Sequence, residues 1–189
     1  MIDRAVPGGL GGTNKRFMGC LGEGEDPQRL WYAAQVRYRH EKLVGQIMEQ
    51  RGVDYWLPLL ERRSKWPDRW VTIYEPLFRG YIFIHQPTDN MVDVVSARGV
   101  VQLVGLSGRP SPIPFSELKN VEKAICSSLA YDPYPGLYPG VTVEVVRGPL
   151  QGCRGILTKK DKKHRIVIEV KLIGQAVVLD IEAVDVQPV

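Results

Sequence analysis

Three cysteines, three histidines and no long apolar run set the first limits on this 189-residue chain. Cys20, Cys126 and Cys153 are odd in number and widely spaced. Neither a disulfide framework nor a zinc motif follows from them, and a reducing cytoplasm is the expected compartment. His40, His85 and His164 fall in no metal-ligand or triad spacing, so no catalytic residue, metal or cofactor is expected. Arg154 beside Cys153 is the one local feature that favours a thiolate, and no base lies near it in sequence. No stretch approaches the ~18–20 apolar residues of a membrane span. The first 28 residues are glycine-rich and lack the apolar segment of a signal peptide, so they read as a flexible tail. With a net charge of +4, the chain as a whole is expected to attract nucleic acid only weakly and in a salt-sensitive way.

What is present reads as a globular protein, 44% hydrophobic and 24% charged. Leu30–Val36 is an aromatic-led strand. Leu43, Val44, Ile47 and Met48 form one stripe of a helix from about His40 to Arg51, with Gly52 placed to cap it. Val53–Leu60 returns as a strand, with Pro58 marking an edge or a break. Glu61–Arg69 reads as an exposed basic loop or hairpin tip, followed by strands near Trp70–Tyr74 and Gly80–Ile84. A short helix covers Asn90–Ser96, and Val100–Val104 is another strand. The glycines and prolines of Gly105–Pro114 predict a loop, after which Ser116 caps a helix carrying Leu118, Val121, Ile125 and Leu129.

Beyond this α+β layer the character changes. Asp132–Gly140 is rich in proline and glycine and reads as a linker. Val141, Val143 and Val145, then Ile166, Ile168, Val170 and Leu172, then Val177, Leu179 and Ile181 alternate with their neighbours. Short strands with glycine turns predict a small barrel. The division expected is a tail (1–28), an N-terminal α+β domain with a sheet flanked by helices (29–130), a linker (131–138) and a small all-β, SH3-like barrel (139–189).

Several strings carry a family resemblance. Trp31-Tyr32, Glu41-Lys42, Pro58, Pro76-Leu77-Phe78-x-Gly80-Tyr81 and Gly99-Val100-Val101 resemble the N-terminal domain of NusG transcription elongation factors. Pro139-Gly140, Val141, Val143, Gly148-Pro149-Leu150, Gly152 and Gly155 resemble a KOW domain. Glu75-Pro76-Leu77-Phe78 and Ala97-Arg98-Gly99-Val100 are more similar to operon-specific paralogs of the RfaH type than to the housekeeping factor. Arg79 stands where a proline is common and is expected to relax the local backbone.

The resemblance implies a non-enzymatic monomer that binds bacterial RNA polymerase at a coiled-coil tip of its largest subunit and suppresses pausing or termination. Tyr32, Ala34, Val36, Tyr81 and Phe83 are the implied docking residues, although a strand's apolar side chains can equally face the domain's own helices. Asn90, Met91, Val92 and Asp93 match the position that meets the opposite lobe of the polymerase. Arg37, Tyr38, Arg39, His40 and Lys42 match a region near the non-template DNA strand, and they combine phosphate pairing with a stacking face. The basic run Arg62–Trp66 invites the same reading, or is basic only for solubility. Cys153, Leu172, Ile173 and Gln175 match positions through which KOW domains bind a small-subunit ribosomal protein or Rho. Lys159, Lys160, Lys162, Lys163 and Arg165 crowd a turn that is either an RNA contact or a solvated tip. The implied KOW segment is heavy in valine and isoleucine and broken by glycines, which predicts strands rather than a helical hairpin. A housekeeping NusG-type factor and a ribosomal or RNA-binding KOW protein are the competing readings; the latter leaves the first domain unexplained.

Overall fold

A computed structural model describes residues 21, 28–106, 109–127, 129, 131–135, 140–160, 163–182 and 185–189. Along the first part of the chain lie β1 (Leu30–Val36), α1 (Glu41–Gln50), β2 (Asp54–Trp56), β3 (Leu59–Lys65), β4 (Trp70–Pro76) and β5 (Tyr81–Gln86). They are followed by α2 (Val92–Val95), β6 (Val100–Leu103), β7 (Gly105–Leu106), β8 (Arg109–Pro110) and α3 (Phe115–Cys126). The remainder is strand: β9 (Tyr131–Pro135), β10 (Val141–Val145), β11 (Arg154–Lys160), β12 (Lys163–Val170), β13 (Gln175–Ile181) and β14 (Val186–Pro188).

The N-terminal sheet has the order β2-β5-β1-β6, and its ladders are antiparallel. Side chains on successive residues point to opposite faces, so β1 splits its apolar content. Tyr32, Ala34 and Val36 join Ile82 and Ile84 of β5 in a core with Val44 and Met48 of α1. Ala33 and Phe83, paired across the two strands, look the other way into a cluster that includes Leu118, Val121 and Ala124 of α3. Both faces of the sheet are therefore covered. Gly52, just past α1, has φ +68°, the left-handed conformation that ends helices cheaply in glycine.

Pro58 breaks the chain between β2 and β3 as the sequence indicates. Having no N–H, it offers only its carbonyl, which accepts the Leu77 N–H at 2.9 Å. β3 and β4 then leave the main sheet and pair with each other alone. Of the loop or hairpin tip expected over Glu61–Arg69, the structure has the hairpin: residues to Lys65 are ladder, and the turn is Trp66–Arg69, closed by Trp66 N–H to the Arg69 carbonyl at 2.8 Å. Proline and aspartate at the two central positions suit such a turn. The 105–114 segment is also more ordered than a bare loop: β7 pairs with β8, and Ile113 bridges Trp31. α3 begins one residue before Ser116. Its N-cap position is Pro114, with extended ψ, and no side chain caps it.

The second sheet runs β14-β10-β11-β12-β13-β9, antiparallel throughout. Ile166, Ile168, Val170, Val177 and Leu179 lie in the cluster that also holds α3, while Val167, Ala176 and Val178 form a small cluster on the opposite face. Gly155 permits the close approach of β11 to β12, because a Cβ there would stand 2.6 Å from the Val167 carbonyl oxygen. The expected linker is corrected in part: Tyr131–Pro135 is a strand of this sheet, paired with β13. Residues 136–139 lie outside the described set, as do Asp161 and Lys162 of the lysine-rich turn.

Candidate nucleic-acid and partner interfaces

The β1–α1 connection is short and tied at both sides. Val36 N–H donates to the Gly80 carbonyl and Arg37 N–H to the Gly99 carbonyl, each at 2.8 Å. Arg39 adopts φ +63°, an uncommon conformation for a residue with a Cβ, and the turn closes with His40 N–H on the Arg37 carbonyl. The result is a projecting tip. Arg37, Tyr38, Arg39 and Lys42 are exposed, Tyr38 to 64%, and the Arg39 guanidinium lies 5.2 Å from the Tyr38 ring centroid. His40 is turned partly inward, with Nδ1 3.0 Å from the Tyr38 carbonyl.

Lys42 joins this tip to the hairpin, donating from Nζ to the Tyr74 carbonyl at 2.7 Å. Between them lies a cleft of about 250 Å³, walled by Tyr38, Arg39, Glu41 and Lys42 of the tip and by Tyr74, Glu75, Pro76 and Arg79. Glu75 is held by Arg79 at 3.0 Å, so the arginine that replaces the common proline takes a local ion partner. Cations with adjacent aromatic faces suit a phosphate backbone with splayed bases. Of the residues expected to contact DNA, Tyr38, Arg39 and Lys42 line this cleft, whereas Arg37 is exposed outside its lining and His40 is half-turned away.

The expected polymerase-docking residues fare differently. Tyr32, Ala34 and Val36 are all at most 4% exposed and belong to the core beneath α1. Phe83 is fully buried on the other face, edge-on to Phe78 with ring centroids 5.7 Å apart, and Tyr81 is half-buried against the same cluster. These five do not make an open concavity. The implied docking strand β1 is instead enclosed on both faces, the alternative that its apolar side chains allowed. At α2, Met91 is buried, whereas Asn90, Val92 and Asp93 are exposed, Val92 to 70%. Arg51 holds this end in place through the Asp93 carbonyl and, at 2.8 Å, the Ser96 hydroxyl.

In the second sheet Cys153 is fully buried, which removes it from any contact surface. Burial pushes its thiol pKa up, against a smaller lowering by the Lys123 ammonium; Arg154 has no part in it. Leu172 and Ile173 form a half-buried turn ended by Gly174, packed against the cluster that includes α3, and Gln175 begins β13. Three polar contacts fasten α3 across this junction. The Glu117 carboxylate accepts the Lys171 N–H at 3.1 Å, Lys123 Nζ donates to the Gln151 carbonyl at 3.0 Å, and Asn120 Nδ2 donates to the Arg154 carbonyl at 3.4 Å. Burial raises the Glu117 carboxyl pKa, opposed by the Lys171 N–H and then by the Lys171 charge.

The sequence reading missed α3 as a helix shared by two sheets. Its signal was the addition of Phe115 and Ala124 to the Leu118–Val121–Ile125 stripe, which widens the apolar surface beyond one face. Leu21 was missed too: it is buried beside α3, its N–H on Glu122 and its carbonyl 3.4 Å from Lys119 Nζ. Among the described residues, no group of His, Cys, Asp and Glu could hold a metal ion, and no helix is long and apolar enough to cross a membrane.

These features define a class, a protein of an α+β domain followed by a second, β-rich part. The sequence model described as "Transcription termination factor nusG" matches residues 29–122. Transcription elongation factor Spt5 of Pyrococcus furiosus is 28% identical over 141 residues, covering 73% of this chain and 79% of that protein. A solved structure of Thermotoga maritima NusG aligns with a TM-score of 0.50 at 18% identity, over 86% of this chain and 98% of the other, a likeness of fold. The chain belongs to the NusG family, the NusG/Spt5 transcription elongation factors, which are not known as enzymes.

Proposed function

We propose that this chain binds bacterial RNA polymerase through its N-terminal domain, suppresses pausing or termination, and recruits a second protein through its C-terminal sheet, read as a KOW barrel. The observation that carries the reading is the open cleft lined by Tyr38, Arg39 and Lys42, with Arg37 exposed on the same tip, on a NusG-family domain. A strand of non-template DNA fits such a surface, with phosphates on the guanidinium groups and a base on Tyr38. Asn90, Val92 and Asp93 offer the reachable contact to the polymerase. A protein of this kind acts by preferring one polymerase conformation, and its effect is bounded by that difference in affinity.

The partner of the C-terminal sheet is a small-subunit ribosomal protein or Rho, met through Leu172, Ile173 and Gln175. Since Leu172 and Ile173 are packed against the α3 cluster, recruitment requires that this contact open. The Thermotoga maritima NusG structure is described as a domain interaction, which supports reading the α3 junction in the same way. Glu75–Phe78 and Ala97–Val100 favour an operon-specific factor, acting as a cytoplasmic monomer; the alternative is a housekeeping NusG-type factor. Occupancy of the protein along the genome, together with polymerase, separates the two. Enrichment on one or a few long operons supports the specialised role, and uniform occupancy supports the housekeeping one. Failure of the purified chain to bind core polymerase at low ionic strength overturns both.

A further inference from the structure

The β3–β4 hairpin carries two solvent-exposed tryptophans, Trp66 at 49% and Trp70 at 66%, that the cleft reading does not use. Large aromatic rings left in water on a charged arm mark a binding face more often than chance exposure does. The register decides which side Trp70 serves, while Trp66 lies past the last ladder pair, in the turn. Lys65 pairs with Trp70, Arg63 with Thr72 and Glu61 with Tyr74, so these six share one face of the hairpin. All but Tyr74 are exposed, whereas on the other face Leu60, Ser64, Val71 and Ile73 are half-buried and only Arg62 is exposed. The outward face is thus cationic and aromatic, with Glu61 its one acid.

Tyr74 also lines the cleft, and Lys42 grips its carbonyl. The hairpin face and the cleft are therefore one surface. From Tyr74 to Trp70 the strand advances about 14 Å at ~3.4 Å per residue. At the far end the Arg69 guanidinium lies 5.9 Å from the Trp66 ring centroid, repeating the Arg39–Tyr38 arrangement at the near end.

We propose that the hairpin extends the cleft into a track for single-stranded nucleic acid, with Trp70 as a stacking platform and Arg63 and Lys65 pairing phosphates. The proposal rests on the cleft reading and adds to it a second, separable half. Exposed aromatic faces between cations favour unpaired bases over duplex, whose bases are already stacked.

The test titrates the full-length chain with single-stranded DNA and RNA of about 6 and about 15 nucleotides, within the ~4–16 range known for such sites, and with a duplex. Tryptophan emission is read together with anisotropy of a labelled strand. Trp56 is buried and Trp31 half-buried, so the hairpin pair dominates any quenching. The longer strand is expected to quench emission and bind more tightly than the duplex. Trp70→Ala should weaken it roughly tenfold, as loss of one stacked base does. Arg63→Ser with Lys65→Ser should make the salt dependence shallower by about 1.4, two phosphates at ~0.7 each for single strands. If Arg39→Ala and Lys42→Ala weaken binding while the hairpin variants bind like the wild type, the cleft reading stands and the track is wrong. Unmoved tryptophan emission, or equal affinity for duplex, also overturns the track. Preference for DNA or RNA identifies the source of the strand, and polymerase retention by the same variants tests the wider reading separately.

Discussion

The Glu41 carboxylate, only 3% exposed, accepts the backbone N–H of Gly80 at 2.7 Å. One residue of the first helical turn thereby fixes the turn that leads into β5, forty residues on. Gly80 has φ +82°, so the clamp holds a conformation that a residue with a Cβ resists. Gly80→Ala should lower stability by about 1–2 kcal/mol through the left-handed backbone. Glu41→Ala should cost about 1–3 kcal/mol by leaving that N–H without its acceptor. Urea unfolding checks both, and additive losses in the double variant would refute the clamp.

Tyr32 sits at the centre of the α1 core, and its hydroxyl is 2.6 Å from the Thr88 hydroxyl. Tyr32→Ala should destabilise the protein by about 3–5 kcal/mol, the range of large aromatic truncations. Val92→Ala, at an exposed position, should stay within about 0.5 kcal/mol. Their denaturation midpoints distinguish a core residue from a docking residue, which the polymerase-binding assay alone does not.

Glu117 gives the junction of α3 with the second sheet a pH dependence. Its folded-state pKa is raised, so the folded state holds the proton more tightly than the unfolded one. Its contribution to stability is full below the ordinary carboxyl range and falls as pH rises through the raised value. Measured against Glu117→Gln, which does not titrate there, the wild type should lose relative stability across that window. A constant difference between the two proteins would remove Glu117 from the account.

The cysteines should differ in reactivity. Cys126 is exposed, whereas Cys153 is buried with a raised thiol pKa. Because the thiolate is the nucleophile, iodoacetamide at neutral pH should label Cys126 well before Cys153. Mass spectrometry of timed digests reads the order directly. Rapid labelling of Cys153 would mean that the second sheet opens readily.

Much of the fold was legible where apolar period and punctuation agree. β1 came out with the limits its sequence indicates, and α1 ends at Gln50, just before the left-handed Gly52. β9 was not legible because Pro133 and Pro135 argue against any strand. It survives as the edge of its sheet, where a missing N–H need not face a neighbour. The hairpin tip and β4 were legible, but β3 was not carried through Glu61–Lys65 because Arg62, Arg63 and Lys65 supply no apolar alternation, its pairing being with β4 alone. The exposed basic tip was legible from charge and aromatics close in sequence. The docking residues were misplaced because Tyr32-Ala33-Ala34 is apolar on both faces, and only the positions of α1 and α3 decide what each face meets.

α3 contributes Leu118, Val121 and Ala124 to a cluster that reaches from Phe83 of the first sheet to Leu179 of the second. The first half keeps an interior of its own under α1, but its other face shares a lining with the second sheet. On heating, the two halves should behave as a single calorimetric unit. Any partner that draws the second sheet away must first supply a replacement lining for one side of one helix.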